Sequence, residues 1–353
     1  MIDKIKVLVT DDSLLFRNVL KNELNNDLHI EVIGTAVDPI DAMEKIKALK
    51  PDIVTLDIEM PKMNGLTFLK KLMAENPIKV VLVSSLNISV FDALQAGAVD
   101  FVKKPDMTIG NDLQFFFREL KTKIKIASIA KLVTYTSAKK EDVPKAGLTK
   151  TEAKSENRKN IKPSTIKIIA IGASTGGTEA ILKVLKDLPK DVPGIVITQH
   201  MPPGFTKMYA DRLNKICSIE VREAKEGDRV EKGLALIAPG DKHMKLLKNE
   251  AGYYVSCRTG EKVSGHCPSV DVLFNSVAET AGKHSIGIIL TGMGKDGAQG
   301  LLNMKKSGAY TVGQDEKSSV VYGMPMVAYN IGAVITQASI ENIAEILIKH
   351  LNK

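Results

Sequence analysis

The sequence predicts an α/β protein of two doubly wound parallel-sheet domains joined by a basic linker. Short β-branched runs alternate with helix-periodic segments over residues 4–121, and the alternation resumes at Ile166. Between them, residues 123–163 are polar, rich in lysine and almost without large apolar side chains, a composition that cannot bury a core. The boundaries expected are therefore 1–122, a linker over 123–163, and 164–353.

In the first domain, strands are predicted at 5–10, 30–37, 53–57, 80–84 and 99–102, each of the buried parallel type. Helical periodicity fills the gaps, as in 14–24 and 40–49, and a last helix starts near Asp112. In the second domain, strands are predicted at 166–171, 195–199, 234–238, 286–290, 311–314 and 334–336. Helices follow at 178–187, 206–215, 269–281, 298–307 and 340–351, and HMKLLKNEAGYYVSC (243–257) reads as an antiparallel hairpin inserted in the sheet.

Composition narrows the function. The formal charge of +8 is unevenly spread: −3 over 1–122, +7 over 123–163 and +4 over 164–353. The excess sits in the linker, and the chain has no Trp and only 5% aromatic residues, so stacking platforms for nucleic acid are scarce. No apolar run approaches the roughly 18 residues of a membrane span. Cys217, Cys257 and Cys267 form no C-x-x-C pair and read as reduced thiols. The opening MIDKIKVLVT enters a strand with no h-region. These features point to a cytoplasmic protein with no nucleic-acid partner and no membrane insertion.

Three carboxylates fall at predicted strand ends: Asp11 and Asp12 after the first, Asp57 closing the third. In an open parallel sheet these ends face one crevice. Clustered like charges call for a cation, and oxygen ligands suit Mg²⁺. Ser84 ends the fourth strand and Lys104-Pro105 follows the fifth, a hydroxyl and an ammonium able to hold a phosphoryl group. The plainer reading is that Asp11 or Asp12 caps the helix starting near Ser13.

In the second domain a β-branched run ends in Gly172-Ala173-Ser174-Thr175-Gly176-Gly177, which fits the G-x-S-x-G nucleophile elbow. A plain Gly/Ser turn capping a helix is the competing reading. His200 follows the next strand and Asp296 the strand 286–290, so a base and an orienting acid stand at neighbouring strand ends. His243 and His266 compete as base, and Asp241 and Asp271 as acid. Gly292-Met293-Gly294-Lys295-Asp296-Gly297 also matches the dinucleotide fingerprint G-x-G-x-x-G, with Asp315 about twenty residues on. Against that reading, the Asp296 carboxylate would repel a pyrophosphate.

The first domain resembles the response-regulator receiver family, on Asp11-Asp12, Asp57 followed by Glu59-Met60-Pro61 and Gly65, Ser84 and Lys104-Pro105. The resemblance implies a flavodoxin-like fold and phosphorylation of Asp57 by a chemotaxis histidine kinase. It implies Mg²⁺ held by Asp12, Asp57 and the Glu59 backbone carbonyl, with Asp11 helping through water, and phosphoryl contacts from Ser84 and Lys104. The segment between Ser85 and Gly97 is shorter than in many receivers, which puts the fourth-helix geometry in question.

Residues 166–350 are similar to the catalytic domain of protein-glutamate methylesterases, the CheB family of bacterial chemotaxis. The matching motifs are GASTGG (172–177), QHMPPGFT (199–206), APGDKHM (238–244), PSVDVLF (268–274), LTGMGKDGAQGL (290–301) and GMP (323–325). The resemblance implies a Rossmann-like α/β serine hydrolase with a small hairpin, in which Ser174 is the nucleophile, His200 the base and Asp296 the orienting acid. It further implies Thr175 near the base and the Met293 backbone N–H as an oxyanion donor. Cys267 and Met326 depart from the family pattern, where basic residues are usual. The activity implied is demethylation of glutamate γ-methyl esters on methyl-accepting chemoreceptors, with glutamine deamidation, needing no metal for hydrolysis. The rival classes are a dinucleotide-dependent oxidoreductase and a phosphorylation-dependent binding module with an inert second domain.

Overall fold

The computed structural model describes residues 3–60, 64–85, 89–105, 110–132 and 164–353. Most of the expected linker (133–163) and Pro61 of the first motif lie outside the described residues.

The first domain runs β1 (Ile5–Thr10), α1 (Leu14–Asn25), β2 (Ile30–Ala36), α2 (Pro39–Leu49), β3 (Ile53–Leu56), α3 (Gly65–Glu75), β4 (Lys79–Ser84), α4 (Ser89–Gln95), β5 (Asp100–Lys103) and α5 (Gly110–Ile129). The strands pair in parallel in the order β2-β1-β3-β4-β5, so all five carboxyl ends share one edge. Apolar runs such as Val7–Val9 and Val80–Val83 are buried on both faces, as a sheet covered by helices on each side requires.

The linker cannot begin at residue 123. Helix α5 continues to Ile129, and Ile124 and Ala127 are buried in the domain core. Lysines dominate the visible composition there, but the apolar stripe of the helix persists among them, and Lys123 itself turns inward to Asp100.

The second domain continues with β6 (Ile168–Ala173), α6 (Gly177–Lys186), β7 (Gly194–Gln199), α7 (Phe205–Ile216), β8 (Glu220–Glu223), β9 (Leu234–Ile237), β10 (His243–Asn249), β11 (Gly252–Arg258), α8 (Val270–Thr280), β12 (Ser285–Ile289), α9 (Ala298–Lys306), β13 (Tyr310–Gln314), α10 (Met324–Asn330), β14 (Thr336–Ala338) and α11 (Ile340–Leu351). Seven strands form one parallel sheet, β14-β13-β12-β6-β7-β9-β8. The chain turns outward in both directions from β6, so the crevice between β6 and β12 is a switch point where open α/β sheets bind ligands.

Three expectations need correcting. The hairpin is a separate two-stranded sheet, not an insertion in the main one. It packs on α8, where the Ser276 hydroxyl accepts from the Leu246 N–H at 2.9 Å. Strand β8 was not expected: it is an edge strand reading EVRE, too charged to resemble a buried run. The last strand lies at Thr336–Ala338 rather than 334–336, because Ala333 N–H still closes onto Ala328 at the end of α10.

The two domains share a core. Phe91 of α4 stacks on Tyr209 of α7 with centroids 5.4 Å apart, and Phe101 of β5 meets Phe205 at 4.6 Å. All four rings are buried. Arg212 of α7 reaches Gln95 of α4 at 3.0 Å. Among the described residues no helix is long and apolar enough to cross a membrane.

Candidate active site and phosphoacceptor pocket

The serine turn forms at the carboxyl end of β6. Ser174 N–H donates to the Thr291 carbonyl at 3.0 Å and Gly177 N–H returns to the Ser174 carbonyl at 2.7 Å. Gly176 takes φ 77°, a left-handed conformation that favours glycine, and opens α6 as its N-cap. Gly292, after β12, lies so close that a Cβ there would stand 2.6 Å from the Ser174 Cβ. Met293, the next residue, is half-exposed.

His200 follows β7 directly, and its N–H bonds to the Ala173 carbonyl at 3.1 Å. The neighbouring Gln199 amide donates to the Ser174 carbonyl at 3.0 Å and ties the two strand ends together. Asp296 is 2% exposed. Its carboxylate accepts from the Ser269 hydroxyl at 2.7 Å and from the Val270 and Asp271 N–H groups at 2.7 and 3.0 Å. Those donors cap the N-terminus of α8, whose dipole favours an anion. His200 Nε2 completes the set at 2.8 Å.

Burial alone would raise the Asp296 pKa. The His200 hydrogen bond and charge and the backbone donors outweigh it and bring it to about 2. With the carboxylate ionised, Nε2 carries the proton and donates it, which leaves the lone pair on Nδ1. That Nδ1 is buried and has no hydrogen-bond partner among the described residues.

The competing candidates are occupied elsewhere. His243 Nε2 faces the Glu261 carbonyl at 2.8 Å and its Nδ1 accepts from Ser269 N–H at 3.2 Å. Asp271 accepts from Gly300 N–H at 2.8 Å, and Asp241 is exposed. His266 lies flat on His200, with centroids 3.7 Å apart and planes 9° from parallel. Burial, then the His200 charge, lowers the His266 pKa to about 4. Asp315 is held in its own turn by Ser318, at 2.9 Å from its N–H and 2.7 Å from its hydroxyl, so the fingerprint acid is already engaged.

Thr175 does something the sequence did not suggest. Its hydroxyl, 4% exposed, donates to Asp100 Oδ2 of the first domain at 2.5 Å. Asp100 Oδ1 in turn takes Lys123 Nζ of α5 at 2.6 Å. The one available signal was an aspartate placed directly before the apolar pair Phe101-Val102 of β5. Ser269 was likewise missed, though a serine before the apolar run VDVLF is an N-cap signature.

At the sheet edge of the first domain, one ligand atom from each of Asp11, Asp12 and Asp57 lies within 4.8 Å of the others. Neither aspartate caps α1: Ser13 does, and Asp11 accepts the Ser13 N–H at 2.9 Å. Lys104 Nζ bridges Asp57 at 2.6 Å and Asp11 at 2.8 Å. Burial raises the Asp57 pKa against the pull of Lys104. For Lys104, burial works against the charge, and the two carboxylates together outweigh it and raise the pKa. Glu59 N–H donates to Asp57 at 3.0 Å. Ser84, 0% exposed, has a hydroxyl with no hydrogen-bond partner among the described residues.

A flavodoxin-like domain with three carboxylates at its sheet edge packs on a parallel-sheet domain in which the Ser174 turn and the His200–Asp296 pair stand at neighbouring strand ends. Residues 169–347 match the CheB methylesterase family and residues 7–109 the response regulator receiver domain. The chain belongs to the CheB methylesterase family. It is 53% identical over 350 residues to a protein-glutamate methylesterase/protein-glutamine glutaminase 2 of Syntrophomonas wolfei subsp. wolfei, covering 99% of this chain and 98% of that one. A protein-glutamate methylesterase/protein-glutamine glutaminase of Sulfurimonas denitrificans is 50% identical over 343 residues, 96% of each chain. The crystal structure of the Thermotoga maritima CheB methylesterase catalytic domain is 36% identical, with a TM-score of 0.51, and covers 52% of this chain and 98% of that chain.

Proposed function

We infer that this chain is a phosphorylation-controlled protein-glutamate methylesterase that also deamidates glutamine, acting in the cytoplasm on methyl-accepting chemoreceptors. The observation that carries the hydrolase reading is the His200–Asp296 bond at 2.8 Å beside the Ser174 turn. Free thiols at all three cysteines suit a reducing compartment.

In the reading proposed, the Ser174 hydroxyl attacks the γ-carbonyl of a methylated glutamate. His200 takes the serine proton on Nδ1, and Asp296 stabilises the imidazolium. The Met293 N–H, brought in by the close packing of Gly292, faces the developing oxyanion. His200 returns the proton to the departing methanol, and water releases glutamate from the acyl-enzyme. An amide is attacked in the same way and releases ammonia.

Control lies in the receiver. Asp57 accepts the phosphoryl group from a chemotaxis histidine kinase, and Lys104 and Ser84 contact its oxygens. The buried Ser84 hydroxyl, without a hydrogen-bond partner among the described residues, supports that role. The convergent, all-oxygen donor set fits Mg²⁺, which Asp11, Asp12, Asp57 and the Glu59 carbonyl would hold. When bound, the ion offsets the negative charge of the incoming phosphoryl group. A phosphate of about −2 charge on Asp57 draws on the groups that now pair with it. The packing of β5 and α4 on the catalytic domain then loosens, releasing Thr175 from Asp100. The receiver comprises β1 to α5, the catalytic domain starts at residue 164, and the junction falls within 133–163.

The test is methanol release from methylated receptor. Ser174→Ala should abolish turnover and leave the melting transition in place; retained turnover contradicts the nucleophile assignment.

A further inference from the structure

His266 is absorbed by no step above, yet the chain is shaped to place it. Val263 and His266 exchange two backbone hydrogen bonds of 3.0 Å around Ser264 and Gly265, with φ of 52° and 84°. This is the geometry of a two-residue turn with both central residues left-handed, and Ser264 adopts it without being glycine. The turn lays the His266 ring on the His200 ring at 3.7 Å and 9°. His200 has one loose end: Nε2 is fixed by Asp296, whereas Nδ1 has no hydrogen-bond partner among the described residues to hold the ring.

We propose that His266 is a positioning residue for the hydrolysis, fixing the ring plane of His200 so that Nε2 stays on Asp296 and Nδ1 stays free to take the serine proton. The proposal rests on the hydrolase reading above. A flat neighbour resists rotation of the ring about its Cβ bond and keeps water from that face. It must also be uncharged when His200 becomes an imidazolium, since two stacked cations repel. The charged and titratable groups that act on His266 are His200, Asp296, Lys123 and Lys262. With burial, they leave its imidazole neutral near pH 7.

Two variants of the full chain separate stacking from simple packing: His266→Phe keeps a flat ring, and His266→Ala removes it. The first readout is the rate of Ser174 labelling by an uncharged serine-directed phosphonate ester, with a small-molecule phosphodonor present. The second is the ring ¹⁵N spectrum of His200, which reports its tautomer. H266A should label about tenfold more slowly, from the upper end of the worth of an aromatic pair, and show mixed tautomers. H266F should label within about threefold of wild type and keep the single Nε2–H tautomer. Wild-type rates and tautomer in H266A, or equal impairment of H266F and H266A, would overturn the proposal. If H266A loses the wild-type melting transition, His266→Leu takes its place as the variant with bulk but no ring. Failure of the wild-type protein to label at Ser174 would instead count against the hydrolase reading, and the tautomer spectrum would still judge the stack.

Discussion

Asp100→Asn probes the contact between the domains at its most direct point. Asp100 holds the Thr175 hydroxyl at 2.5 Å, one residue from Ser174, and pairs with Lys123 at 2.6 Å. A hydrogen bond to a charged group contributes about 1.5–3 kcal/mol net, and a neutral one about 0.5–1.5 kcal/mol. Asparagine keeps the shape and an acceptor oxygen but loses the charge, so the closed arrangement weakens by about 1–1.5 kcal/mol. That is about a five- to twelvefold shift in the ratio of closed to open protein. The assay is methanol release from methylated receptor, with and without a small-molecule phosphodonor. Unstimulated release should rise by that factor, and the stimulated maximum should stay put. Asn also leaves the Lys123 ammonium without its carboxylate, so Asp100→Asn/Lys123→Met restores neutrality and should show the same rise. A folded D100N with an unchanged unstimulated rate would refute the latch. So would a parallel fall in both rates, which would mark Asp100 as a support for the catalytic site.

Asp57→Asn should leave unstimulated methanol release intact and abolish its increase with phosphodonor; a surviving increase would show that the switch lies elsewhere. The Asp296 pKa of about 2 lies below its model-peptide value of 3.8. Its stabilising contribution is therefore complete above pH 3.8 and is lost as pH falls through about 2. Between pH 4 and 2 the catalytic domain should lose on the order of 2 kcal/mol from this group, and Asp296→Asn should flatten that part of the stability–pH curve. Thermal melts across that window measure it, and identical slopes in the two proteins would contradict the assignment.

Much of this was legible because the informative signals are local. The β-branched runs gave the strands that β-branching dictates, and Ser174, His200 and Asp296 were each readable from a strand end facing the same crevice. What failed were elements whose residues look like something else. Strand β8 carries edge charges, the end of α5 hides an apolar stripe among lysines, and α10 is seven residues with proline in its first turn. The partners of the site were harder. Ser269 holds Asp296 across 27 positions and Asp100 meets Thr175 across 75, in a different domain. No spacing rule reaches that far; only packing of α4 and β5 on α7 brings the second pair together. The engagement of the Thr175 hydroxyl by the receiver was out of reach of the sequence for the same reason.

The most direct measurement is mass-spectrometric mapping of the adduct formed by an active-site-directed serine ester reagent on the unmodified protein, with and without phosphodonor. A single adduct on Ser174 that forms faster when Asp57 is phosphorylated is the expected result. An adduct elsewhere, or a Ser174 rate indifferent to phosphorylation, would contradict a serine hydrolase gated by its receiver.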